Sequence, residues 1–137
     1  WTALNLHTLN INNFKTPQVT NMSSTFAMCK ALTNLNLSSF DTSKVNRMDS
    51  MFIGSDNISN LDMSSFTTDA NPNISNMFNS CNGLTNLRLD NFEFTKGTNP
   101  NIALSATFNR NTDIKVKNAT EKAWFLSKYP TFTNVHE

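Results

Sequence analysis

The chain has 137 residues, the length of one ordinary domain. Eleven Lys and Arg against ten Asp and Glu leave a formal net charge of +1, which excludes the clustered basic excess that nucleic acid and anionic membranes reward. No stretch approaches the ~18 apolar residues of a membrane span. Asn, Thr and Ser supply 54 residues, yet 11 Phe, two Trp and one Tyr are enough to build a core.

The predicted elements follow one period. Phe14, Phe40, Phe66 and Phe92 stand 26 residues apart, and Phe26, Phe52 and Phe78 keep the same step, with Leu104 next in their column. Leu9, Leu35, Leu61 and Leu87 form a further column, as do Ile11, Leu37, Met63 and Leu89. Leu6, Leu32, Ile58 and Leu84 open each unit, and Cys29, Ser55 and Cys81 fill a small-residue column.

Residues 1–13 read as a partial first coil. The chain enters at Trp1, which begins no signal peptide and is no initiating Met, so a fragment or processed form is expected. Within each unit two hydrophobic periods follow one another. Leu35 to Ser38, Leu61 to Ser64 and Leu87 to Asp90 alternate apolar and polar, the pattern of a half-buried strand. Val45, Met48, Phe52 and Ser55 are then spaced by three, four and three residues, which predicts one face of a short helix. Val19, Met22, Phe26 and Cys29 repeat that spacing, as do Asn71, Ile74, Phe78 and Cys81. Asp, Thr, Ser and Asn between the two halves suit turns and helix caps.

Twenty-six residues cannot bury their own apolar face, whereas stacked copies bury it in one continuous core. The fold expected is therefore α/β: a leucine-rich-repeat-like solenoid of about four strand–turn–short-helix coils over residues 1–112, with a C-terminal cap over 113–137. The cysteines are two coils apart, roughly 10 Å and beyond disulfide reach, which predicts two free, buried thiols.

The pattern loosens after Phe92, where about four extra residues near Lys96–Pro100 read as a loop. Asp113 to Lys117 predicts a strand. Asn118 followed by Glu121 predicts a helix N-terminus, with the helix running to Tyr129 and ended by Pro130. Ala119, Ala123 and Leu126 are expected to face the last coil, with Trp124 or Phe125 sealing its edge. Thr131 to Val135 predicts a final strand.

The units LTNLNLSSFDTSKVNRMDSMF and ISNLDMSSFTTDANPNISNMF resemble the 26-residue repeat of bacterial surface proteins, the BspA-like leucine-rich-repeat group. The likeness spans roughly residues 4–111, and the ending IKVKNATEKAWF resembles the segment that closes such arrays. Asn71 in place of Val and the insertion after Phe92 depart from the pattern. The resemblance implies an extracellular location at a bacterial surface, with wall or lipid anchoring through a part outside these 137 residues. It also implies adhesion to a host surface or matrix protein or a glycan.

Catalytic chemistry finds little in the sequence. His7 and His136, the two histidines, stand at opposite ends and far from a Ser or Cys nucleophile in the expected stack. The aspartates are scattered over different columns, and neither metal-ligand spacing nor a Gly-rich phosphate loop is present. No enzyme activity, cofactor or metal is expected. Asn-x-Ser/Thr occurs at positions that include Asn21, Asn57, Asn73 and Asn118, as the composition alone would give.

What remains is the outward strand face. Thr8, Asn34, Asn60 and Asn86 make one row; Asn10, Asn36, Asp62 and Arg88 a second; Asn12, Ser38, Ser64 and Asp90 a third. Amides and hydroxyls ~4.8 Å apart form a grid of donors and acceptors. The candidate ligand-binding residues are Asn34, Asn36, Ser38, Asn60, Asp62, Ser64, Asn86, Arg88 and Asp90. Asp62 and Arg88 stand where the composition would have supplied Asn. The rows lack the aromatics common in protein hot spots. The function expected is a monomeric adhesin module that binds host protein or glycan through this face; the alternative is a spacer with no ligand.

Overall fold

The computed structural model describes residues 5–95 and 110–137. The expectations on Trp1, on the insertion near Lys96–Pro100 and on Leu104 lie outside the described residues.

The alternating stretches form short strands: β1 (Thr8–Leu9), β2 (Asn34–Leu35), β3 (Asn60–Asp62) and β4 (Asn86–Leu89). They pair in parallel at the sequence period, Leu9 beside Leu35 and Leu61 beside Leu87. β5 (Asp113–Val116) joins β4 one residue late, with Ile114 beside Leu87. β6 (Val135–His136) closes the sheet beside β5. The strands divide into two sheets, β1–β2 and β3–β4–β5–β6, with no ladder pairing between β2 and β3. With one helix, α1 (Ala119–Lys128), the described residues make an α/β protein.

The short helix expected in each unit is not there. Residues 45–55 and their counterparts form strings of turns. Alternate N–H groups cross to the next unit: Met22 to Arg47 O at 2.8 Å, Phe26 to Met51 O at 2.9 Å, Met48 to Asn73 O at 2.8 Å and Phe52 to Met77 O at 3.0 Å. Others close turns within a unit, as Ile53 to Ser50 O at 3.1 Å and Ser55 to Phe52 O at 3.1 Å. A helix would direct its N–H groups four residues back and leave none for the neighbour. The three–four–three spacing therefore reports a turn period. Left-handed residues recur every four positions, at Ser24 and Met28, Ser50 and Gly54, Asn76 and Ser80. At Gly54 (φ 71°) a Cβ would meet Met28 Sδ at 2.4 Å, so any larger residue there would have to displace the exposed Met28 side chain.

The expected columns meet in the core. Phe26, Phe52 and Phe78 stack with ring centroids 5.5 and 5.9 Å apart, and Phe40 lies 6.2 Å from Phe66. Leu35, Leu61, Leu87, Ile114 and Val135 line up beneath the strands, all buried. Phe14 departs from its column: it is 60% exposed. Its backbone closes the same turn as its counterparts, Phe14 N to Ile11 O and Phe40 N to Leu37 O both at 3.0 Å. The turn is local, whereas burial needs flanking units.

Small polar side chains join the units from inside. Thr16 Oγ1 donates to Asp41 O and accepts from Asp41 N, both at 2.8 Å, and Thr42 does the same with Thr67, at 3.2 and 2.8 Å. Ser55 Oγ donates to Phe26 O at 2.7 Å, and one unit later Cys81 Sγ takes the same role toward Phe52 O at 3.0 Å. Both thiols are free, Cys81 buried and Cys29 half-buried.

The cap helix starts as the sequence predicts, with Asn118 Oδ1 accepting from Glu121 N at 3.1 Å, and ends at Tyr129. Of the three residues expected on its inward face, Leu126 packs against the core and the two alanines do not. Ala119 and Ala123 are exposed, and Glu121 and Phe125 are buried. Glu121 reaches back to the preceding unit, accepting from Phe94 N at 2.8 Å, Thr95 N at 3.2 Å and Thr95 Oγ1 at 2.8 Å. Phe94 stacks on Trp124 at 5.0 Å, and Phe125 meets Phe132 edge-on at 5.9 Å. Large aromatic area outweighs the two alanines in choosing the buried face.

Candidate functional site

The outward positions of the first two rows are exposed, Ser64 and Asp90 of the third are half-buried, and the rows continue into the cap. Asp113 follows Asn86, and Lys115 and His136 follow Arg88. Sequence reasoning missed this extension because the strand of the cap is offset by one residue from the 26-residue step; the alternation Ile114-Lys115-Val116 was its only trace.

Side chains on this face have two jobs. In the middle row Asn10 Oδ1 accepts from Asn12 N at 3.3 Å, Asn36 Oδ1 from Ser38 N at 3.0 Å and Asp62 Oδ1 from Ser64 N at 2.9 Å. These Asx turns end the strands and use the side-chain acceptor locally. Asp62 thus does what Asn36 does. Arg88 solves the same position differently: it forks onto Asp90, two residues on, at 2.7 and 3.1 Å, and lies 3.6 Å from Asp62. On the turn side Arg47 and Asp49 form the same fork, both contacts 3.0 Å, between Asn21 and Asn73, which make Asx turns. The Arg–Asp pair is therefore a recurring local substitute for the Asx turn.

The face divides in two. Around β4 to β6 it is charged: Arg88, Asp90 and Lys115 interact, Lys117 pairs with Glu93, and His136 lies 2.8 Å from Asp113. Partial burial works to raise the Asp90 carboxyl, but the Arg88 hydrogen bond, the Arg88 charge and Lys115 hold it below its ordinary value. The bond to Asp90 raises the Arg88 guanidinium in turn. Over β1 to β3 the face is nearly neutral and sinks into an open groove of about 550 Å³. The groove brings together Asn34, Asn36, Ser38, Asn60, Asp62 and Ser64 of the candidate set and adds Thr8, Asn10, Asn12 and Ser65. Asn86, Arg88 and Asp90 do not line it. Asn86 reaches Asn60, donating from Nδ2 to Oδ1 at 2.6 Å.

The thiols offer no obvious nucleophile. Burial pushes Cys81 up to about 12, and burial also raises Cys29, so both stay protonated at neutral pH. His7 and His136 are exposed. No group of three His, Cys, Asp or Glu that could hold a metal occurs among the described residues. Among these residues no helix is long and apolar enough to cross a membrane.

Short parallel strands paired at a 26-residue offset, with an outward polar face, define an α/β protein of repeated units. The chain belongs to the family described as Mycoplasma protein of unknown function, DUF285, whose model matches residues 2–119. That membership fits a bacterial surface repeat protein. No curated protein and no solved structure matches the chain.

Proposed function

We propose that the protein is a BspA-like solenoid of four 26-residue coils with a cap from residue 113, acting at a bacterial cell surface as an adhesin module. It works by binding, not catalysis, and engages a host protein or glycan through the strand face. The observation that carries this reading is the groove of about 550 Å³ where outward polar rows converge. The 26-residue register, the stacked Phe columns and the family match support the architecture and the location. The spacer reading draws on another observation: many acceptors of the middle row are occupied in Asx turns, and the charges of the other half pair with one another.

Attachment separates the two. Beads coated with the protein should adhere to host cells, and Asn34→Arg with Ser38→Arg on the strand face should abolish adhesion. Thr20→Arg with Ser43→Arg, away from that face, should leave it intact. No adhesion, or adhesion indifferent to the strand-face pair, would favour the spacer.

A further inference from the structure

We propose that the groove over β1, β2 and β3 is a subsite for a neutral oligosaccharide. This rests on the strand face being a binding surface and names the chemistry that the surface takes. At about 550 Å³ the groove falls within the ~300–1,000 Å³ of small-molecule sites. Its one ionisable lining residue is Asp62, and no Lys, Arg or His lines it. A sulfated or sialylated glycan, or an acidic peptide, would meet the Asp62 carboxylate, and the cation nearest to it, Arg88 at 3.6 Å, lies outside the lining and is forked onto Asp90. A protein partner would find no aromatic or Arg anchor point in the groove; of the leucines that line it, Leu35 and Leu37 are buried and Leu9 is half-buried.

Sugar hydroxyls, each both donor and acceptor, match what is left. The Asx turns hold the Oδ1 atoms of Asn10 and Asn36 against the backbone. Each Nδ2 amide has no partner among the described residues. Neither does the Ser38 hydroxyl. Asn10 and Asn36 directly follow β1 and β2, whose paired backbones lie ~4.8 Å apart. The turns fix the amides before any ligand arrives, so little rotamer freedom is lost on binding. The seam between the two sheets also runs along the groove, where β2 and β3 lack ladder pairing and their backbone groups can add donors and acceptors.

The adjacent units supply their own control. Asp62 keeps the turn that Asn36 makes, so Asn36→Asp should fold normally while replacing one Nδ2 donor with a carboxylate oxygen. Asp62→Asn should also keep the turn and add a donor. The protein would be probed against an array of neutral oligosaccharides, their sulfated and sialylated counterparts and matrix proteins. We expect a neutral oligosaccharide to bind and to shift the side-chain amide resonances of Asn10 and Asn36, leaving the Arg88 guanidinium signal in place. Asn36→Asp should weaken that binding about 10-fold or more, and Asp62→Asn should tighten it several-fold. Binding only to sulfated or sialylated glycans or to matrix proteins would overturn the neutral subsite and leave the adhesin reading standing. So would neutral binding that ignores both substitutions. Silence across the whole array would overturn both.

Discussion

Phe92 and Phe14 hold the same place in the 26-residue period and close the same turn, with N–H to carbonyl distances of 3.0 Å in each. Phe92 is fully buried and Phe14 is 60% exposed. At the C-terminal end α1 sets Phe125 and Trp124 against Phe94 and brings the Glu121 carboxylate to the backbone of Phe94 and Thr95. Around Phe14 the described residues supply no such cover. The difference teaches that a unit carries its turn with it, whereas its core side chains are buried only by what lies above and below. The polar face follows the same gradient, from a neutral groove over β1 to β3 to paired charges over β4 to β6.

The largest effect should come from the middle, where both neighbours are present. Phe52→Ala should cost about 3–5 kcal/mol in urea unfolding, as for other buried Phe. A loss below ~1 kcal/mol would mean that the stacked column does not carry the core. At the sealed end, Glu121→Ala strands the buried Phe94 N–H and should cost about 1–3 kcal/mol. Hydrogen exchange should then quicken first in β5 and β6; uniform acceleration would argue that the cap is not a separate cooperative unit. Phe14→Ala should change stability by no more than ~0.5 kcal/mol, as at other exposed sites. A larger loss would erase the contrast between the ends.

The smallest effect concerns pH. The Asp90 carboxyl is held below its ordinary value, so its stabilisation is present above the unfolded value of ~3.9 and is lost as pH falls through the folded one. Melting temperature should decline slightly more steeply below pH ~4 in the natural protein than in Arg88→Asn, and the gap should shrink in high salt. Equal acid limbs for the two would mean that the fork contributes nothing in solution.

Much of this was legible beforehand. Phe26, Phe52 and Phe78 announced their stack by spacing, and Asn118 announced the start of α1. The exposure of Asn34, Asn36 and Asp62 followed from alternation. Three of the features that escaped show why. Three–four–three spacing reads as helix because period alone does not say whether an N–H bonds within its own chain segment or to the next. Thr16 and Thr42 looked like turn residues, because a hydroxyl that joins two units has no periodic hydrophobic signature. The groove was invisible, because it depends on how side chains of three units meet over β1 to β3, and no residue type in those strands marks it.

The order of residues alone determined the period, the identity of the columns and which strand positions turn outward, since each follows from local alternation and a constant step. Tertiary structure decided how the backbone groups of the turn side are satisfied, which face of α1 is buried, why Phe14 stays in water and where the neutral groove lies. Those outcomes depend on contacts between residues about 26 apart, which are settled only when neighbouring units are in place together.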